Sequence, residues 1–281
     1  MIINCNSTSI NLSLGHVMGV LNVTPDSFYD GGKFMEDEKV LKQTKRMLDE
    51  GASFIDIGGA SSRPGSNPVS PKEEIERVIP AISTILNNFP KAVISIDTTS
   101  SEVAEKAVES GAAIVNDISA GTVDNRMLEA VASLGVPYIA MHMQGTPKTM
   151  QNNPSYQNVV SDVFAALERF YNRATQLGIK QLILDPGFGF GKSLSHNYQL
   201  LNQLERFHSL SCPLLVGVSR KSMIQKILDV DAENALNGTT AIHTIAAQKG
   251  ASILRVHDVK EAVQVFQLVN YLNQQQSTLT T

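Results

Sequence analysis

Asp185 ends an apolar run, Leu182–Leu184, and is followed by Pro186 and by glycines at 187, 189 and 191 with Phe188 and Phe190 between them. Proline and glycine turn the chain, and bare backbone lets a ligand approach closely. A carboxylate beside aromatic faces and open backbone suits a planar polar ligand. The segment ends in Gly191-Lys192-Ser193, which looks like a phosphate-binding P-loop. That loop needs a glycine five positions before its last one, and position 186 is proline, so a phosphate cradle is excluded. The G-x-G-x-G spacing also differs from the dinucleotide fingerprint.

Other residues of matching chemistry recur along the chain. Asp97, Asn116 and Asp185 form an acid-and-amide set. Such a set can meet a ring with adjacent N–H donors and a carbonyl, because a carboxylate accepts two donors side by side and an amide donates and accepts at once. Asp97 could instead cap a helix, and Asn116-Asp117 could make a turn. Arg63, Lys221, Arg255 and His257 form a basic set suited to a phosphate or diphosphate. Arg255 stands out because it interrupts an apolar run, Ser252–Val256. Arg220 reads as structural or surface. Ser222 follows Lys221 at a helix start, where free N–H groups can hold a carboxylate. Asn22, with Asp26 and Asp30 nearby, could meet magnesium, an ion that uses few protein ligands alongside substrate phosphates.

These residues need a frame that gathers them. Eight apolar runs alternate with helical patterns: His16–Leu21, Phe54–Ile57, Ala92–Ile96, Ala112–Val115, Val136–Ala140, Leu182–Leu184, Leu214–Gly217 and Ser252–Val256. The intervening helices are expected over Glu38–Glu50, Pro71–Asn88, Ser100–Ser110, Leu128–Leu134, Val159–Leu177, Tyr198–Phe207, Lys221–Leu228, Thr239–Lys249 and Val259–Asn273. The repeat of about 34 residues is the size of a βα unit. Eight units in 281 residues favour a closed (β/α)8 TIM barrel, an α/β fold, over a doubly wound sheet. Residues 1–12 read as a short hairpin at the barrel's N-terminal end, and 274–281 as a disordered polar tail. No composition break divides the chain, which reads as a single domain. In such a barrel the chemistry lies at the C-terminal strand ends. These carry Asn22, Ser61-Ser62-Arg63, Asp97, Asn116-Asp117, Met141-His142, Asp185, Lys221 and Arg255-His257.

Composition narrows the partners. A net charge of -4 argues against a general nucleic-acid binder, so an anionic ligand must be held by a local cluster of bases. No apolar run is long enough to span a membrane, and the N-terminus lacks the form of a secretory signal. Cys5 and Cys212 suggest neither a metal site nor a disulfide framework. The expected location is the cytoplasm.

Seven motifs in order carry a resemblance to dihydropteroate synthases. They are VMGVLNVTPDSFYDGG at 17–32, IDIGGASSRPGS at 55–66, SIDT at 95–98, VNDISAG at 115–121, ILDPGFGFGKS at 183–193, GVSRKSMI at 217–224 and LRVHDV at 254–259. The resemblance implies a pterin-binding TIM barrel that joins 6-hydroxymethyl-7,8-dihydropterin diphosphate to p-aminobenzoate, with magnesium, as a homodimer open to sulfonamide competition. It implies that Asp97, Asn116, Asp185 and Lys221 hold the pterin, with Met141 and Phe190 against its faces. Asn22 would meet magnesium, and Arg63, Arg255 and His257 the diphosphate. Ser62, Arg63, Pro64, Phe190, Lys221 and Ser222 would frame p-aminobenzoate. The loops at 22–34 and 58–70 would close over the site and exclude water. The chain departs from the family's GGESTRPG at Ala60 and Ser62. Loss of the threonine methyl at 62 is expected to alter affinity for p-aminobenzoate or bulkier sulfonamides. Two rivals are a methyltransferase domain serving a cobalamin protein and an inactive pterin-binding paralogue. The SRPG and SRKS motifs and the Arg255-His257 pair argue against the first, and the full basic set against the second.

Overall fold

The computed structural model describes residues 1–24, 32–60, 69–146, 149–150 and 153–278. Strands β1 (Ile2–Cys5) and β2 (Thr8–Asn11) pair antiparallel as a hairpin. Eight parallel strands follow: β3 (His16–Asn22), β4 (Phe54–Gly58), β5 (Ile94–Asp97), β6 (Ile114–Asp117), β7 (Tyr138–Met141), β8 (Leu182–Asp185), β9 (Leu215–Val216) and β10 (Ile253–Val256). Their spatial order is β8-β7-β6-β5-β4-β3-β10-β9, and a parallel bridge between Leu184 and Leu214 closes the ring. The expected barrel is therefore the observed one.

The helices are α1 (Gly32–Asp49), α2 (Pro71–Asn88), α3 (Ser101–Glu109), α4 (Met127–Leu134), α5 (Val159–Gln176), α6 (Leu194–Asn202), α7 (Ser222–Leu228), α8 (Leu236–Gln248) and α9 (Val259–Thr278). Their starts follow capping chemistry. Ser70 with Pro71, Ser100, and Asn158 each accept an orphan backbone N–H, and Ser193 forms a capping box with His196. That box moves α6 earlier than its apolar pattern suggests, so the chain from Leu204 to Leu210 becomes a 3-10 segment. Helix α9 runs on to Thr278, so the tail expected to be disordered from 274 is helical over its described part.

Several strands sit later than their apolar runs, with the polar end residues inside the ladder. Asp97 pairs with Gly58 and Asn116, and Met141 with Asp185. The ladder uses only backbone groups, so a polar side chain does not end it. Along each strand, alternate side chains face the barrel axis. The lowest inward layer is apolar: Met18, Phe54, Ile114, Ile139, Ile183, Leu215 and Ile253 form one buried cluster with Ile3, Cys5 and Leu12 of the hairpin segment. The hairpin thus seals the N-terminal end. Two residues further along the same parity the layer turns polar, with Asp56, Asn116, Asp185 and Arg255 beside the apolar Met141.

Candidate active site

At the floor of the open end, Arg255 engages two carboxylates. Its Nε donates to Asp56 Oδ2 at 2.6 Å and a terminal nitrogen to Asp97 Oδ2 at 2.7 Å. Asn116 Nδ2 donates to the same Asp56 oxygen at 3.0 Å. Asp56 is fully buried, and its other oxygen has no hydrogen-bond partner among the described residues. Burial and three further acids outweigh Arg255 and raise Asp97 to about 7. Burial works against the charge on Arg255, but Asp56 and Asp97 hold it above its ordinary range. Asp97 does not cap α3; Ser100 does. Asp117 makes a structural turn, accepting from Ser119 and Gly121 backbone N–H groups and from the Tyr138 hydroxyl.

Asp185 stands opposite. One oxygen accepts the Gly187 N–H at 2.7 Å, and burial raises its pKa against the pull of Lys221. Lys221 donates to the Phe188 carbonyl at 2.5 Å and lies 4.6 Å from the Phe190 ring centre, a cation–π contact. Burial lowers it to about 8 while Asp185 supports its charge. Lys221 occupies the N-cap position of α7 without making a capping hydrogen bond. A helix start is normally given to a small oxygen-bearing residue; here the side chain turns into the barrel instead. Ser222 begins the helix and is exposed.

The neighbouring loops are clipped in pairs. Ser219 Oγ bonds His257 Nδ1 at 3.0 Å and accepts the His257 N–H. Arg220 makes a two-point pair with Asp258, with both distances at 2.8 Å, and donates to the Ala232 and Glu233 carbonyls. Arg220 is therefore structural, while Ser219 and Lys221 on either side face the site. Desolvation and the cations around it lower His257 to about 4, so it is neutral near pH 7. The floor thus offers acceptors and donors for a planar heterocycle, with His257, Lys221 and Ser222 above it.

The family model described as pterin binding enzyme matches residues 18–257. The chain belongs to the pterin-binding enzymes. Within this family it is 49% identical over 268 residues to the dihydropteroate synthase of Escherichia coli (strain K12), covering 93% of each chain. It is similar in structure to the Yersinia pestis dihydropteroate synthase solved with a sulfonamide drug, with a TM-score of 0.91, 43% identity and coverage of 98% and 100% of the two chains. It is also similar to the Xanthomonas albilineans dihydropteroate synthase with 4-aminobenzoic acid, with a TM-score of 0.90, 39% identity and coverage of 97% and 98%.

Of the residues expected to form this pterin-binding site, Asp97, Asn116, Met141, Asp185, Phe190, Lys221, Ser222, Arg255 and His257 lie at one end of the barrel. Asn22 ends β3 at the same end, pairing with Gly58. Ser62, Arg63, Pro64 and much of the two closing loops lie outside the described residues. Arg255 was grouped with the diphosphate-binding cations, yet it sits in the acid-and-amide floor, because two carboxylates there need a counter-charge. Asp56 was missed. Its signal lay in Phe54-Ile-Asp-Ile: an acid on the same parity as Phe54 must face the barrel interior and demands a cation.

Proposed function

We propose that this barrel mouth condenses 6-hydroxymethyl-7,8-dihydropterin diphosphate with p-aminobenzoate, giving 7,8-dihydropteroate and pyrophosphate. The observation that carries this is the Asp56–Asn116–Arg255–Asp97 network facing Asp185 and Lys221. It matches the donor-acceptor edge of a pterin, in a chain 49% identical to a dihydropteroate synthase. The pterin ring lies on this floor, with Met141 and Phe190 against its faces. His257 and Arg63 serve the diphosphate, and Ser62, Pro64, Phe190, Lys221 and Ser222 frame p-aminobenzoate. The C–O bond to diphosphate breaks first, its electron pair leaving with the oxygen while the reduced ring stabilises the methylene cation. The amine then forms the C–N bond and releases a proton. A loss-of-diphosphate step whose rate tracks amine nucleophilicity would contradict this order.

Magnesium fits the site by donor chemistry. The Asn22 side-chain oxygen and Asp97 both flank Gly58, whose missing side chain leaves the floor open between them. Asn22 would hold the ion, which supplies charge neutralisation for the departing diphosphate. The homodimer is supported by an apolar face of exposed side chains on mutually packed helices: Ile227, Ile245, Leu268, Tyr271 and Leu272. Leu268→Glu is expected to give monomers by light scattering, whereas a dimer unmoved by it excludes this face. The two thiols, Cys5 and Cys212, are buried and unpaired, in keeping with a cytoplasmic protein.

The deciding experiment mixes the purified protein with pterin diphosphate, p-aminobenzoate and magnesium and measures pyrophosphate. Formation that requires all three is expected; none in their presence defeats the proposal. Calorimetric titration with a pterin analogue should show a loss of about a hundredfold or more for Asp185→Asn, with an unchanged melting temperature.

A further inference from the structure

The glycine loop after β8 resembles a phosphate cradle in sequence and inverts it in structure. A phosphate cradle aims backbone N–H groups at an anion. Here four of the five carbonyls from Gly187 to Gly191 are caught by side-chain donors instead: Gly187 and Phe190 by Lys192, Phe188 by Lys221, and Gly191 by the Tyr156 hydroxyl. Lys192 is 3% exposed. Its ammonium lies 2.8 Å from the Gly187 carbonyl, 2.9 Å from the Phe190 carbonyl, and 3.1 and 3.2 Å from Nδ1 and the carbonyl of His142. His142 is held neutral, lowered to about 3 by burial and by Lys192, and its Nδ1 accepts from Lys192 in the tautomer protonated at Nε2. Burial lowers the Lys192 ammonium to about 7 while Asp185 supports its charge, and one buried amino group therefore joins the end of β7 to both halves of the glycine loop.

We propose that Lys192 is a positioning residue that fixes Phe190, and through it the wall against which p-aminobenzoate packs; this rests on the role given to Phe190 above. The Phe190 carbonyl is held from behind by Lys192 while its ring faces the Lys221 ammonium from the front. Phe190 is thus set at its backbone and its side chain by two different lysines. Methionine at 192 has nearly the same length but cannot donate, and would leave four acceptors without their shared donor. The loop could then relax without any group that touches substrate having been removed.

A double-mutant cycle between Lys192→Met and Phe190→Ala tests this. Each single variant is expected to raise KM for p-aminobenzoate about tenfold while kcat changes less than about threefold, and the double variant to be no worse than either single. A Lys192→Met KM within about twofold of wild type, or effects that multiply in the double variant, would overturn the inference. Should Lys192→Met not fold, Lys192→Gln goes through the same cycle, since it keeps two donors without the charge. Wild-type pyrophosphate formation is measured in parallel, so that a failure here stands apart from a failure of the proposed activity.

Discussion

At the residue scale the floor is an electrostatic compromise. Asp56, Asp97 and Asp185 face Arg255 and Lys221 at the barrel floor, and burial leaves Asp97 near 7. A heterocycle that donates N–H groups to this floor favours ionised Asp97. Below pH 7 a proton must leave before the ligand is fully bound; above it none need leave. Affinity for a pterin analogue is therefore expected to weaken as pH falls from 7.5 to 6, with proton release detectable at pH 6. Calorimetry in two buffers of different ionisation enthalpy checks this, and an affinity flat across the range would show that Asp97 does not titrate on binding. Polar residues at strand ends were readable because barrel geometry says where they must point. Asp56 was passed over although it lies in the IDIGGASSRPGS motif, because it sits within the strand and not at its end, and only its parity with Phe54 reveals that it faces inward.

At the scale of elements, the loop after β8 and the loop after β7 touch backbone to backbone. Gly187 has a positive φ of 73°, and a Cβ there would collide with the His142 carbonyl oxygen. A Cβ on Gly191, also at positive φ, would lie 2.5 Å from the Gln144 carbonyl oxygen. Gly187→Ala thus meets both backbone strain and a clash with a group that cannot rotate away. It is expected to reduce kcat/KM at least about a hundredfold while far-ultraviolet circular dichroism stays native, because only the loop has to shift. Near wild-type activity would mean that the loop has slack the structure does not show. The alternating glycines were legible as a close approach, but what approaches is protein backbone as well as ligand. Helix existence was legible from periodicity, whereas the start of α6 was not, because the Ser193–His196 box overrides the apolar pattern.

At the scale of the molecule, stability and chemistry are separated along the barrel axis. Leu12 is 1% exposed and packs with the lowest barrel layer, at the end away from Asp185. Leu12→Ala should cost about 2–5 kcal/mol of stability, read by urea denaturation, with kcat and KM unchanged at 25 °C. A change in KM would show that the two ends are coupled. The barrel itself was the most legible feature, because eight βα repeats leave few alternatives.

The hairpin that stops the lower end also makes the pocket a cul-de-sac. Among the described residues the floor is reached from the opposite end, so whatever rests on the acid floor is expected to arrive before the molecule that lies above it. The finished compound, reaching from bottom to top, has to back out whole along the way its parts came in.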